Sequence, residues 1–265
     1  MLKIVLIGAG AMATEVLTHL KSDEGVRVAA GIVLPSEVAH ARDVLPQDAD
    51  VLTSVDDLTG EPGLAVECAG HQALGQHGVA LLRRGIDLLV ASTGALADRA
   101  LFDRLAAAAK EGRARMLLVS GAVGGIDAIG AAKVAGITKV RYTSRKPPKS
   151  WKGTPAEKVT DLDRVTSAVT LFTGPADEAA RLYPQNANVA ATIALAGLGF
   201  EKTECTLIAD PAANGNIHRI EVQGASGEFF IELRGKALAA NPKTSMLAAL
   251  SVVRAIRNRD ATIVI

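Results

Sequence analysis

Residues 2–20 read "LKIVLIGAGAMATEVLTHL", and the reading of the glycines in the middle decides what kind of fold the chain builds. "LKIVLIG" is an almost unbroken aliphatic run of strand length, the pattern of a strand buried on both faces, and a helix follows it to about Leu20. At the turn between them, Gly8, Gly10 and Ala13 make G-x-G-x-x-A. The first glycine permits a tight turn and the second lets backbone approach a pyrophosphate. The small third residue allows close helix packing, and the helix N-terminus favours anionic phosphate. The placement points to dinucleotide binding. The alternatives are a tight turn in some other α/β domain or a site for another nucleotide-bearing ligand.

The same stretch imitates a secretory leader, with Lys3, an apolar run and an Ala-x-Ala-like end. That reading is rejected because the run is only strand length and glycines interrupt it. No later stretch reaches the roughly twenty unbroken apolar residues of a membrane span.

Working outward, strand and helix alternate. "VRVAAGIV" (26–33), "LAVECAG" (64–70) and "DLLVAS" (87–92) read as strands. "HGVALLRRG" (77–85) and a segment from about Asp98 to Gly112 read as helices. This βαβ alternation predicts a mostly parallel sheet covered on both faces. "ECAGH" (67–71) and "ASTGALAD" (91–98) fall at carboxyl ends of predicted strands, where open α/β sheets bind ligands. Asp98 fits a helix cap. Cys68 has no identifiable partner base and reads as a small buried cysteine rather than a nucleophile.

An acidic residue is expected at the end of the second strand to hold the adenosine ribose, but "GIVLPSEVAHAR" (31–42) offers Val33, Leu34 and Ser36 there, with Glu37 late. Ser36 suits a ribose hydroxyl or a phosphate, and Arg42 suits a phosphate. Use of either NAD or NADP follows as the expectation.

The pattern changes after "ARMLLVSG" (114–121). Strand candidates lie at 138–144, 204–210, 217–223 and 228–234, the last three joined by turn signals at Asn214-Gly215 and Gly224 to Gly227. They predict an antiparallel sheet, with helices near 124–136 and 186–198 covering one face. A final helix over about 243–257 packs back onto the first domain or into a subunit interface. The fold class is therefore α/β, an N-terminal Rossmann-type parallel sheet with a second, smaller α+β domain containing an antiparallel sheet. The predicted division is 1–113, 114–237 and a C-terminal helical segment 238–265.

At 265 residues the chain is long enough for two domains. Composition narrows the partners. The chain is 49% apolar and only 3% aromatic, which gives base-stacking little support, and its formal charge of +1 supplies no field to hold a polyanion or an acidic membrane. Nucleic acid and membrane are excluded, and the ligand is small. Cys68 and Cys205 are too few for a disulfide framework and no clustered His or Cys suggests a metal, so a reducing cytoplasm fits.

Three further segments carry possible chemistry. "SGAVGGIDA" (120–128) is a second Gly-rich strand-to-helix turn, suited equally to holding an anion or a carboxamide and to a crowded crossover that needs small residues. "SRKPPKSWKG" (144–153) carries Arg145, Lys146, Lys149 and Lys152 in a Pro-rich loop, either solvated or clamping a substrate carboxylate. In "ANGNIHRIEV" (213–222), His218 alternates with Ile220 and Val222 on one face of a strand. That spacing alone suits a core histidine as well as a catalyst.

Several segments fit one family together. Through "GAGAMA" (8–13), "SGAVGGIDA", "SRKPP", "PQNANVAATIALAGLG" (184–199), "GNIHRIEVQG" (215–224) and "NPKTSMLAALS" (241–251), the sequence resembles the L-aspartate dehydrogenases over nearly its whole length. The resemblance implies a Rossmann domain joined to a smaller α/β domain, with the C-terminal helical segment returning toward the first. It implies that His218 is the active-site residue, and that Ala122 and Asn188 lie against the NAD or NADP cofactor. The implied reaction takes L-aspartate to iminoaspartate, which water converts to oxaloacetate and ammonia, on a route to the pyridine ring of NAD, with reductive amination as its reverse. The apolar terminal helix adds a homodimer to the expectation. The competing readings are a homoserine-type dehydrogenase and a catalytically silent dinucleotide sensor.

Overall fold

The computed structural model describes residues 1–184, 187–238, 241 and 244–264. Contacts divide the chain into a first unit, Met1–Val119 with Ala249–Ile265, and a second, Ser120–Ala248.

The first unit runs β1 (Leu2–Ile7), α1 (Ala11–Leu20), β2 (Val26–Ile32), α2 (Val38–Val44), β3 (Asp50–Leu52), β4 (Leu64–Glu67), α3 (His71–Arg83), β5 (Asp87–Val90), α4 (Arg99–Gly112) and β6 (Met116–Leu118). All its strand pairings are parallel, in the order β3-β2-β1-β4-β5-β6. This is the doubly wound Rossmann arrangement, whose strand order reverses between β1 and β4. The aliphatic run at the N-terminus forms β1 because the central position hides both faces: Ile4, Val5, Leu6 and Ile7 are all buried, as is every residue of neighbouring β4. Asp98 caps α4, its carboxyl accepting from the Ala100 and Leu101 amides as the sequence predicts.

The second unit contains α5 (Ile126–Ala135), β7 (Ile137–Lys146), β8 (Val169–Pro175), α6 (Ala176–Leu182), α7 (Ala187–Ala196), β9 (Thr203–Ala209), β10 (Asn216–Gly224) and β11 (Gly227–Gly235). Its sheet is ordered β11-β10-β7-β9-β8. The predicted antiparallel character holds for β10 with β11, β10 with β7, and β8 with β9, but β7 and β9 run parallel, so the sheet is mixed. The difference arises at the Asn214-Gly215 turn. Instead of closing a hairpin from β9 to β10, it ends a connection that passes β7, which lies between them. Strand β7 takes the centre because it is ten residues long and alternates inward Val140, Tyr142, Ser144 and Lys146 with more exposed neighbours, so both its edges can be paired. The second turn does close a hairpin, with Gly224 opposite Gly227.

Edge strand β8 and helix α6 are additions to the elements that the sequence predicts. Helices α5, α6 and α7 cover one sheet face through Ile129, Ala179, Ala190 and Ile193, which pack in one cluster with Val140, Tyr142, Ile220 and Val222. The predicted starts of two helices, at 186 and 243, lie outside the described residues. Within those described, α7 begins at Ala187, and the last helix, α8, spans Met246–Arg257. Its end is tied within the first unit, where Arg257 donates to both Asp23 carboxylate oxygens and to the His19 carbonyl.

Candidate active site

In the first unit the site is made of backbone. Gly8 leaves β1 with φ +91, the left-handed region, and an added Cβ would sit 2.7 Å from the Ala69 Cβ. A side chain is excluded twice over, by conformation and by contact. Gly10 is different. It precedes α1 with φ −77, and an added Cβ would meet no atom within 4 Å. Glycine there leaves open space beside the helix N-terminus, where a pyrophosphate needs close approach to backbone. Ala13 is fully buried, packing α1 onto the sheet. The fingerprint residues thus fit a dinucleotide through open space at Gly10 rather than through the fold's own needs.

The cleft beside this turn is lined by Gly8, Gly10, Leu34, Glu37, Cys68 and Ala69 among others. Of the residues after β2, Val33, Leu34 and Glu37 line it, whereas Ser36 and Arg42 are exposed outside its lining. Burial and the adjacent Glu67 carboxylate push the Cys68 thiol well above its ordinary range, which leaves it protonated and a poor nucleophile.

Glu67, fully buried at the end of β4, fixes two of the turns at the sheet's carboxyl edge. Its Oε1 accepts from the Ala69 and Gly70 amides at 2.9 and 2.7 Å and from the Ser92 hydroxyl at 3.0 Å, while Oε2 accepts from the Ser92 amide at 2.8 Å. The sequence predicts both segments at the carboxyl ends of strands, and in the structure one carboxylate joins them.

In the second unit the site is made of side chains. His218, Ile220 and Val222 are buried together on the inward face of β10, the face expected from their alternation. In register, His218 stands opposite Ser144 and Ile220 opposite Tyr142. The imidazole is 3% exposed, and its Nδ1 lies 2.8 Å from the Tyr142 hydroxyl, with the two rings 16° from parallel. Burial, and after it the charge of Lys146, push the His218 pKa down to about 3, so the ring is neutral near pH 7. Burial also raises the Tyr142 phenol above its ordinary value, against a smaller opposing effect of Ser144.

The basic stretch 144–153 divides. Arg145 and Lys146 continue β7 rather than belonging to a loop, since Lys146 pairs in register with Ala209 of β9. Arg145 points to Asp210 at 2.9 Å and Lys152 to Asp163 at 2.6 Å, while Lys149 is exposed. Lys146 alone turns inward. It is 9% exposed, its Nζ lies 5.4 Å from the centre of the buried Trp151 ring, and burial lowers its pKa to about 8. The missed signal was the spacing Tyr142, Ser144, Lys146, three polar groups at every second position of a strand whose inward face also carries Val140.

Ala122 is buried in the turn before α5, in the same cluster as Val189 and Ile220. Asn188 is exposed in the first turn of α7. In the 120–128 turn, crowding is real at Gly125, which has φ +71 and whose added Cβ would strike Ile231.

A Rossmann unit with an open glycine turn, joined in one chain to a second unit whose sheet carries a buried neutral histidine, defines a nicotinamide-dependent oxidoreductase of two units. Residues 127–259 match the family described as "Aspartate dehydrogenase, C-terminal", and residues 8–119 match the one described as "Homoserine dehydrogenase, NAD binding domain". The chain belongs to the L-aspartate dehydrogenase family and uses NAD(P). It is 50% identical over 262 residues to the L-aspartate dehydrogenase of Ralstonia nicotianae, covering 98% of each chain. With that of Pseudomonas aeruginosa it shares 51% identity over 262 residues, covering 97% of each. The crystal structure of aspartate dehydrogenase from Thermotoga maritima matches with a TM-score of 0.76 at 27% identity, over 100% of this chain and 99% of that one. An amine dehydrogenase from Mycobacterium smegmatis, at 16% identity and a TM-score of 0.59, shares the fold. Among the described residues no helix is long and apolar enough to cross a membrane.

Proposed function

We propose that the chain oxidises L-aspartate at Cα, with NAD or NADP as hydride acceptor, and that His218 exchanges the protons. The supporting observation is a buried, neutral imidazole held at one nitrogen on the inward face of β10, in a chain half identical to enzymes named for that substrate. Gly8 and Gly10 would hold the pyrophosphate, with buried Ala13 packing α1 against the sheet behind them, and Ala122 and Asn188 would orient the nicotinamide ring. When bound, the cofactor supplies hydride acceptance.

The residues supply the rest. A hydride leaves Cα and a proton leaves the ammonium nitrogen, giving iminoaspartate; water then adds and ammonia departs, leaving oxaloacetate. His218 takes up the proton and returns it in the reverse direction, reductive amination. A ring of pKa about 3 is a weak base. Substrate carboxylates brought near Lys146 would offset the smaller of the two causes and raise the ring's pKa in part, with burial still the larger cause holding it down.

The reading extends to a cytoplasmic homodimer on the route to NAD. The thiols of Cys68 and Cys205, both unbridged, support the reducing compartment, and Phe230, 63% exposed on β11, supports a subunit contact. Light scattering on the eluting protein reads the mass.

Absorbance at 340 nm tests the reaction, with either cofactor and with L-aspartate, D-aspartate, glutamate or homoserine. Reduction confined to L-aspartate is expected. His218→Ala is expected to lower kcat by about 10² to 10⁴-fold while still binding reduced cofactor. A folded variant with wild-type turnover overturns the role of His218.

A further inference from the structure

We propose that Tyr142 is a positioning residue for His218: its hydroxyl takes up Nδ1 and holds the ring in the tautomer whose unprotonated Nε2 exchanges protons with substrate. The proposal rests on the reading of His218 given above and adds the device that makes one ring nitrogen, and not the other, the reactive one.

Geometry carries it. Tyr142 and His218 stand at diagonal positions on adjacent strands, since Tyr142 pairs with Ile220 and His218 with Ser144. Diagonal neighbours on one sheet face lie within reach of long side chains. The phenol spans that distance and ends 2.8 Å from Nδ1, with both residues buried. The two nitrogens of an imidazole are distinct, and a partner at one decides what the other can do. With Nδ1 engaged and the rings close to parallel, Nε2 is directed away from the tyrosine.

The tautomer follows from where the hydroxyl protons go. A phenol can donate to Nδ1 or accept from an Nδ1–H, and only the second leaves a lone pair on Nε2. Tyr142 keeps its own proton, because burial raises its pKa. That proton then needs an acceptor. Ser144 lies beside it, acting on the phenol's titration as a hydrogen-bonding neighbour, and its buried Oγ has no other partner. Buried polar atoms of this kind are rare and call for a reason. Turning the phenol proton to Ser144 satisfies it and leaves the phenol oxygen to accept from Nδ1–H, which completes a chain from Ser144 through Tyr142 to the ring.

The groups around His218 divide by what they do. Lys146 disfavours the charged form of the ring. Ile220 and Val222 supply apolar packing along the same face. Among the described residues, the Tyr142 hydroxyl is the group within hydrogen-bond distance of Nδ1.

The test is Tyr142→Phe, which keeps the ring and its packing and deletes one oxygen. In protein labelled with 15N-histidine, long-range 15N–1H spectra report the tautomer of each of the five histidines, and His218 is assigned by its loss in His218→Ala. Wild type is expected to show Nδ1 protonated and Nε2 not. Tyr142→Phe is expected to move the ring toward the Nε2–H form and to lower kcat by about tenfold or more, with KM for the cofactor unchanged. Unchanged tautomer and unchanged kcat in a folded Tyr142→Phe overturn the proposal, as does a wild-type ring already in the Nε2–H form. Should that variant not fold, Ser144→Ala removes the terminal acceptor without touching either ring; the same tautomer shift in smaller degree supports the proposal, and none overturns it. The spectra need no turnover, so failure of the aspartate reading leaves this result standing by itself.

Discussion

The candidate sites of the two units are built of different materials. In the first, the features of the candidate site are main chain: a glycine forced into φ +91, another with open space where a side chain would be, and a helix N-terminus behind them. In the second they are side chains, Tyr142, Ser144, Lys146 and His218, at inward positions of two central strands. A backbone site demands particular residues at fixed spacing, because few residues permit its geometry. A side-chain site on a sheet demands only that polar groups replace aliphatic ones at every second position. The first therefore leaves a motif and the second leaves an anomaly in a pattern.

The largest expected effect breaks that comparison where it looks firmest. Glu67 is a side chain at the heart of the backbone unit, accepting from three amides and a hydroxyl. Glu67→Gln preserves shape but turns an NH2 toward at least one N–H or O–H donor. A buried group left unsatisfied costs about 1 to 3 kcal/mol. Since donor and donor then face each other, the loss is expected near the top of that range, about 3 kcal/mol by denaturant titration, with weaker NADH binding because Ala69 lines the cleft. Unchanged stability would mean the turns hold their shape without the carboxylate, and the first unit's site would be backbone alone.

This difference in material explains what was legible beforehand. The G-x-G-x-x-A turn and the parallel alternation were readable because β1 and β4 are buried on both faces and so run aliphatic without interruption. The mixed second sheet was harder. Asn214-Gly215 is a real turn, but a turn signal does not say which strand lies on the far side, and β7 inserts itself between β9 and β10. Edge strand β8, "VTLFTGP", ends in Gly174 and Pro175 and shows weak alternation. Alternation around His218 fixed its face and its burial, yet not its role, since core and catalyst share that pattern. Its partner Tyr142 is 76 positions away along the chain, beyond any local signal, and Lys146 was hidden in what reads as a basic loop because "RKPP" masks the strand's end.

A second prediction sharpens the comparison from the other side, through the cost of keeping an uncharged histidine. The pKa of His218 is near 3 in the folded chain and about 6.5 unfolded. Between those values the unfolded state binds the proton and the native state does not. Stability therefore rises with pH across this window and is lost as pH falls below about 6.5, by at most about 1.4 kcal/mol per unit from this group. Comparing unfolding free energies of wild type and His218→Gln at pH 6.5 and pH 5, wild type is expected to lose about 1.6 kcal/mol more than the variant. Equal losses would place the ring in contact with solvent, and the buried side-chain site would dissolve as a category.

The smallest effect on the fold is also the cleanest separation of ligand from structure. Gly8 and Gly10 stand two residues apart in one motif, but the structure asks for glycine only at the first. At Gly8 any side chain meets Ala69 and a left-handed backbone; at Gly10 a Cβ meets nothing and φ is ordinary. Gly10→Ala is thus expected to cost under about 1 kcal/mol of stability, its loss confined to the start of α1. Its methyl would occupy the space a pyrophosphate needs. NADH affinity, measured by fluorescence titration, is expected to fall about tenfold, or about 1.4 kcal/mol. Affinity held at the wild-type value would mean that the open space at Gly10 is not where the dinucleotide approaches. A large stability loss would mean that this glycine, like Gly8, serves the turn.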